Sequence, residues 1–487
     1  MDASSPSPDA TRAEAGLSPT IAERLARFIA GLRLSDIPAS VVERAKYLML
    51  DAVGIAFASG RFDFAERTVA AMRGLGGAGE AAVIGFAERL PLRDAALVNG
   101  VLVHGLDFDD THLSGVVHTG ASLLPAVLAM AARERASGAA ALAAYIGGVE
   151  AAARLGAVAK GGFHQVGFHP TGLVGAFACA LAAGSLIGLD AQALATAQGI
   201  ALSTASGSLE FLEDGAWNKR LHPGWAAVAG ITAAALAQGG FVGARKPYEG
   251  RFGLYASHLQ QRFAPADLAL ATAGLGAAWE LLKVAVKPFP ACHFTHACID
   301  AAIALGREAG PDIDAIGEIR ALVPAEVVQT VCEPVAGKRR PANAYDAQFS
   351  IPYVVASALR HGRFTLAELT AAAIADPATL ALAERVHYEV DPRSGFPDFY
   401  SGELVVGLRD GRVLRRREHE NRGAATRPLS SADILAKFED NMRSAGAAGR
   451  AAEIAGIMLA LEDAPDMRRV ADALAGSPSS PPRERAG

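Results

Sequence analysis

Between residues 38 and 283 the chain runs through one apolar, small-residue segment after another, each ending on Gly, Ser or a polar breaker. The extreme case is TGLVGAFACALAAGSLIGL (171–189), which carries no charge at all. Such lengths, with little β-branched alternation, specify helices rather than strands. A helix that is apolar all round must be buried on most sides, and abundant Gly and Ala let neighbouring helices approach closely. A mostly α fold with a large all-helical domain is therefore expected. The 171–189 run is about as long as a membrane span, but Ala, Gly and Ser drive insertion weakly and no aromatic belt flanks it. It reads as a buried helix, so no membrane partner is expected.

The texture changes near 284. IGEIRALV and RVHYEV alternate like strands, and GELVVGLRDGRVLRRREHE places an Asp-Gly turn between two strand-like runs, a hairpin signal. FSIPYVVASALRHG and TLAELTAAAIADPATLALAERV lie between them and read as helical. The expected organisation is a helical domain over 18–283, a smaller inserted α+β lid domain over 284–420, and a return to the helical domain over 421–474. The Ser- and Pro-rich ends, 1–17 and 475–487, have little to bury and read as disordered tails.

A net charge of −5 over 487 residues gives no general attraction to nucleic acid or anionic lipid. Four cysteines with no CxxC pair do not make a disulfide framework or a cysteine-only zinc site. The opening MDASSPSPDATRAEAG shows no basic segment followed by an apolar core, so a cytoplasmic protein is expected. Neither GxGxxG after a strand nor GxxxxGK[ST] occurs, which disfavours dinucleotide and ATP chemistry.

Against this apolar background four polar clusters stand out. HGLDFDDTHLSGVVHTGAS (104–122) brings Asp107, Asp109, Asp110, His112 and His118 between two helices. Its spacing matches neither HExxH nor an EF-hand, so a capped, solvated loop competes with a metal site. GGFHQVGFHPTG (161–172) sets His169 beside Pro170 at a helix start, where the backbone N–H groups keep an imidazole neutral and able to act as a base. EDGAWNKRLHPGWAA (213–227) offers Lys219, Arg220 and His222 just ahead of a helix, a grouping suited to carboxylates. KPFPACHFTHACID (287–300) adds Lys287, Cys292, His293 and His296. Lys338, Arg339 and Arg340 read as surface or substrate-entry charge rather than catalytic groups. Together the clusters suit proton transfer beside a carboxylate, with cations holding the charge of an enolate-like intermediate.

At LDFDDTH with His118 beyond it, GFHPTG, DGAWNKRLHPGWAA, KPFPACHFTH and YDAQFSIPY, the sequence resembles the MmgE/PrpD family. VVERAKYLMLDAVGIAFA is similar to that family's opening helices, and the likeness runs in order from about 18 to 470. The resemblance implies a helical domain with an α+β lid, a homodimer, and chemistry that needs neither cofactor nor metal. Dehydration of 2-methylcitrate, decarboxylation of cis-aconitate and epimerisation of iminodisuccinate are among the activities it implies. Carried over by motif, Asp107, His118, His169 and Lys219 are the expected catalytic residues. Thr111, Arg220, His222 and Lys287, with His293 or His296, are the expected contacts to a small anionic carboxylate. HLSGVVH is one residue longer than the Trp-His-Pro-like segment of the decarboxylating relatives, and PACHFTH also differs. The leading expectation is therefore a dehydratase-like lyase, with epimerase and decarboxylase as alternatives and a metal-dependent hydrolase as the remote one. A carboxylate-binding scaffold that has kept the fold without the chemistry is the non-enzymatic rival.

Overall fold

The computed structural model describes residues 18–309, 313–396 and 399–476. Of the expected tails, 1–17 and 477–487 lie outside these residues. Ala475 and Gly476 do not belong to a tail. Ala475 bridges to Ile84, and the Gly476 N–H donates to Phe86 O at 2.8 Å.

The principal helices of the first part are α1 (Ala39–Ser59), α2 (Leu92–His104), α3 (Thr119–Arg133), α4 (Gly138–Val158), α5 (Pro170–Leu186) and α6 (Asn218–Gln238). One apolar core unites them with α8 (Ser431–Ser444), α9 (Ala451–Leu459) and α10 (Met467–Leu474) from the far end of the chain. Helix α4 has the length and hydropathy of a membrane span, but 89% of its most apolar window is buried inside this core. Helix α5 opens on Pro170, whose fixed φ suits the first helical position, and is buried from Pro170 through Gly184.

Small residues set how closely these helices cross. A Cβ on Gly230 of α6 would sit 2.4 Å from Cys179 Cβ on α5, and one on Gly100 of α2 would sit 2.4 Å from Gly224 Cα on α6. Alanine at an open helical site is worth up to about 1 kcal/mol over glycine. At Gly100 the clash outweighs that gain. Gly100→Ala is expected to destabilise the protein by about 1–3 kcal/mol, seen as a lower urea midpoint with helix content unchanged.

A second core gathers residues from Phe289 to Leu408, with Phe211 contributed by the helical part. Strands β1 (Ile316–Val323), β2 (Val386–Val390), β3 (Gly402–Leu408) and β4 (Val413–Glu418) form one sheet in the order β2-β1-β3-β4. The β1–β2 pair is parallel, and the other two pairs are antiparallel. The expected hairpin is β3–β4, turning through Asp410-Gly411 with Gly411 at φ 91°. Helix α7 (His296–Ala309) packs on β3, where a Cβ on Gly402 would lie 2.8 Å from Cys298 Sγ.

Helix α6 corrects one expectation. Lys219, Arg220 and His222 do not precede a helix but form its first turns, starting at Asn218. Pro223 falls in the second turn, where it removes one intrahelical bond without ending the helix.

Candidate active site

The acid-rich stretch is not a solvated loop. From Val101 to Ala131 every residue but Ser114 is buried. Asp107 and Val116 adopt φ of 48° and 53°, conformations that non-glycine residues hold only when their surroundings enforce them. Thr111–His112 pairs with Val284–Ala285 as a two-residue antiparallel ribbon. Asp110 accepts from Thr119 Oγ1 (3.1 Å) and Gly120 N (3.0 Å), satisfying the start of α3. His112 Nδ1 accepts from Gly115 N, so its Nε2–H is the side that donates to Glu280, at 3.1 Å. The backbone carbonyls of the loop are tied down by Arg220 at Gly105, by the Gln348 side chain at Leu106, and by Lys437 at Phe108.

Asp107 stands at the centre. Its Oδ1 accepts from Lys219 Nζ at 2.5 Å and Lys287 Nζ at 3.1 Å, and Lys287 also donates to the Asp107 carbonyl at 2.8 Å. Its Oδ2 is buried without a partner. Burial alone would raise this carboxyl, but Lys219 and Lys287, with His118 and His104, hold it well below the usual carboxylate range. Two ammonium groups thus share one carboxylate, leaving donor capacity for a second anion.

The histidines face this group. A backbone carbonyl can only accept, so the 2.9 Å contact between His118 Nδ1 and Asp110 O fixes the proton on Nδ1 and leaves Nε2 as the basic atom. Burial, reinforced by His104, Lys287 and Lys219, pushes His118 well below 6.5, with Asp109 opposing. His169 caps α5, and its Nδ1 lies 3.1 Å from His222 Nδ1. It too is held well below 6.5, chiefly by burial and then by His222, His104 and Lys219. His164 is pushed down to about 4 by burial and Lys219.

These groups line one pocket. Of the ten expected residues it brings together Asp107, Thr111, His118, His169, Lys219, Lys287 and His293. Arg220, His222 and His296 are not in its wall. Arg220 turns away, donating to Gly105 O at 2.8 Å and stacking over Phe64 and Tyr345. His222 stands behind His169. His296 Nε2–H is committed to Ala291 O at 3.0 Å. His293 takes the pocket position instead: the Asn421 amide donates to its Nε2 at 2.5 Å, leaving a buried Nδ1–H without a partner.

Sequence reasoning did not single out Phe349, Thr330 or Tyr400, which line the pocket from the 289–408 side. The Tyr400 hydroxyl donates to Leu113 O at 3.2 Å, and its ring meets His293 edge-on. His104 was missed as well. It ends α2 as one more residue of an apolar stretch, and its Nδ1 lies 2.8 Å from Asp109 Oδ2. Cys292 also faces the pocket, but burial pushes its thiol up to about 11, far from a thiolate nucleophile at neutral pH.

The arrangement can bind an anion through Lys219, Lys287 and His293 and move a proton with neutral imidazoles. Cis-aconitate decarboxylase from Aspergillus terreus is 26% identical over 92% of this chain and 94% of its own length. The mouse and human cis-aconitate decarboxylases are each 28% identical over 87% of this chain, and over 86% and 88% of their own lengths. The MmgE/PrpD N-terminal domain matches residues 23–266 and the MmgE/PrpD C-terminal domain matches 289–463. Together these matches cover most of the chain, which belongs to the MmgE/PrpD family.

Proposed function

We propose that this chain is a cofactor-independent lyase that acts on a small di- or tricarboxylate, with decarboxylation of cis-aconitate as its first activity. The observation that carries the reading is the Lys219–Asp107–Lys287 group facing the neutral His118 and His169 in one pocket. The names of the full-length relatives move decarboxylation ahead of dehydration. In the decarboxylation, the bond to the departing carboxylate breaks and its electron pair forms a new C=C as the old double bond shifts. Negative charge collects on the α-carbon and its carboxylate as an enediolate, which Lys219 and Lys287 hold. Both imidazoles are held in the neutral form and carry no extra proton to give, so the proton returned to carbon comes from the Lys219 ammonium.

The same neutral imidazoles favour a second reading. His118 or His169 would take an α-proton from a 2-methylcitrate-type hydroxy acid, and the β-hydroxyl would leave as water with a proton from an ammonium. Reprotonation on the opposite face would make an epimerase. In either reading the 284–420 unit serves as a lid, contributing Lys287, His293, Phe349 and Tyr400.

The test is NMR in deuterated water on chelator-treated protein with cis-aconitate, 2-methylcitrate, citrate and iminodisuccinate. The proposal expects loss of CO₂ from cis-aconitate and one solvent deuteron in the product. A new alkene from 2-methylcitrate supports the dehydratase, and α-deuterium without net product supports the epimerase. No exchange with any of the four overturns the substrate class. Turnover that requires added metal overturns the cofactor-free mechanism.

The working unit is proposed to be a homodimer. Helix α6, mostly buried, exposes Leu221, Trp225 and Leu236 on one face, following Trp217 at its cap, each 40–45% exposed. Monomers rarely leave such an apolar stripe open. Trp225→Lys is expected to convert a dimer to a monomer in light scattering. A dimer that survives the change places the interface elsewhere.

A further inference from the structure

His104 stands together with His118 and His169 of the pocket wall, and one ligating nitrogen from each lies within 4.8 Å of the other two. Their rings are 4.7–5.7 Å apart, centre to centre. His104 and His169 both keep a buried Nε2 with no hydrogen-bond partner. Each opposite nitrogen is already engaged: His104 Nδ1 with the Asp109 carboxylate at 2.8 Å, His118 Nδ1 with Asp110 O at 2.9 Å, and His169 Nδ1 with His222 at 3.1 Å. Outer groups that hold the far nitrogen of each ring are how proteins orient imidazoles towards a metal.

We propose that these three Nε2 atoms form a site for one borderline divalent cation of the zinc type, and that its occupancy inhibits the enzyme. Neutral imidazoles suit Zn²⁺, Co²⁺ or Ni²⁺ better than Mg²⁺ or Ca²⁺. Zn–N bonds of about 2.0–2.1 Å bring the nitrogens closer than they stand here, so small ring rotations complete the site. His118, 8% exposed at the pocket wall, faces the route by which a cation would arrive. Charge does not forbid it: Lys219 and Lys287 are offset nearby by Asp107 and Asp109. Binding selects the His169 tautomer that donates its Nδ1–H to His222. The cation takes the lone pairs with which His118 and His169 would accept an α-proton in the dehydratase and epimerase readings. It also adds positive charge and bulk to the wall of the pocket that any of the substrates would enter, so it competes with turnover. The inhibitory arm rests on the function proposed above, whereas the binding arm does not.

The experiment titrates Co²⁺ into chelator-stripped full-length protein without substrate and reads the visible d–d absorption. One equivalent should bind and give the intense bands of a low-coordinate nitrogen site, and Zn²⁺ should displace it. His104→Gln should weaken binding by at least about tenfold, and Asp109→Asn, which removes only the outer carboxylate, by about 10–100-fold. Circular dichroism checks folding, and either variant alone suffices if the other does not fold. A spectrum that stays that of aqueous Co²⁺, or binding unchanged in the folded variants, overturns the site. Where the wild type turns over a carboxylate, Zn²⁺ should inhibit and a chelator should restore the rate. Binding without any turnover would count against the proposed function and not against this site.

Discussion

Asparagine at position 107 is expected to destabilise the protein by about 3–5 kcal/mol and to reduce kcat/KM by about 10³-fold. Asp107 is the one carboxylate between Lys219 and Lys287, and Lys287 is wholly buried. A neutral amide leaves two ammonium groups facing each other with no carboxylate in contact and only Asp109 nearby to offset them. Removing one partner of a buried ion pair costs far more than the pair contributes, because the remaining charge stays desolvated. The double variant Asp107→Asn/Lys219→Met should recover part of that stability and none of the turnover. Urea midpoints and steady-state rates separate the two effects. A single variant that keeps near-wild-type stability would contradict the role of Asp107 as the counter-charge of Lys219 and Lys287.

For the dehydratase or epimerase reaction, with His118 as the base, replacing it by glutamine should lower kcat/KM by about 10²–10⁴-fold while leaving the fold intact, as loss of a positioned base does. Burial and the neighbouring Lys287 and Lys219 hold this imidazole well below 6.5. The active form is the neutral ring, and a depressed pKa extends it to lower pH. The acid limb of wild-type kcat/KM should therefore lie well below pH 6.5, with the rate nearly flat as pH falls from neutrality through that value. An acid limb at 6.5 would mark a solvated histidine as the base instead.

Much of this was readable along the chain, because helix periodicity and turn chemistry are local. The buried α5, the Asp410-Gly411 hairpin and the four polar clusters all announce themselves in short windows. Which members of a cluster share a pocket is not local. Lys219 and Arg220 are neighbours in sequence but point about 100° apart around α6, so one meets Asp107 and the other Gly105. His293 and His296 look interchangeable until the Ala291 carbonyl claims one and Asn421, 128 residues downstream, orients the other. His104 and Tyr400 gain their places only when the 105–118 loop folds back, through Asp109 and Leu113. The start of α6 was misplaced because Pro223 reads as a boundary, while packing against α5 and α2 carries the helix past it.

The most direct measurement compares wild type and Lys219→Met for turnover of cis-aconitate, with folding checked by circular dichroism. Lys219 touches both Asp107 and the pocket, so it belongs to the proposed chemistry and not only to the fold. The account predicts a measurable wild-type rate and a loss of about 10²–10³-fold in the folded variant. A folded variant that turns over cis-aconitate as fast as wild type would contradict it.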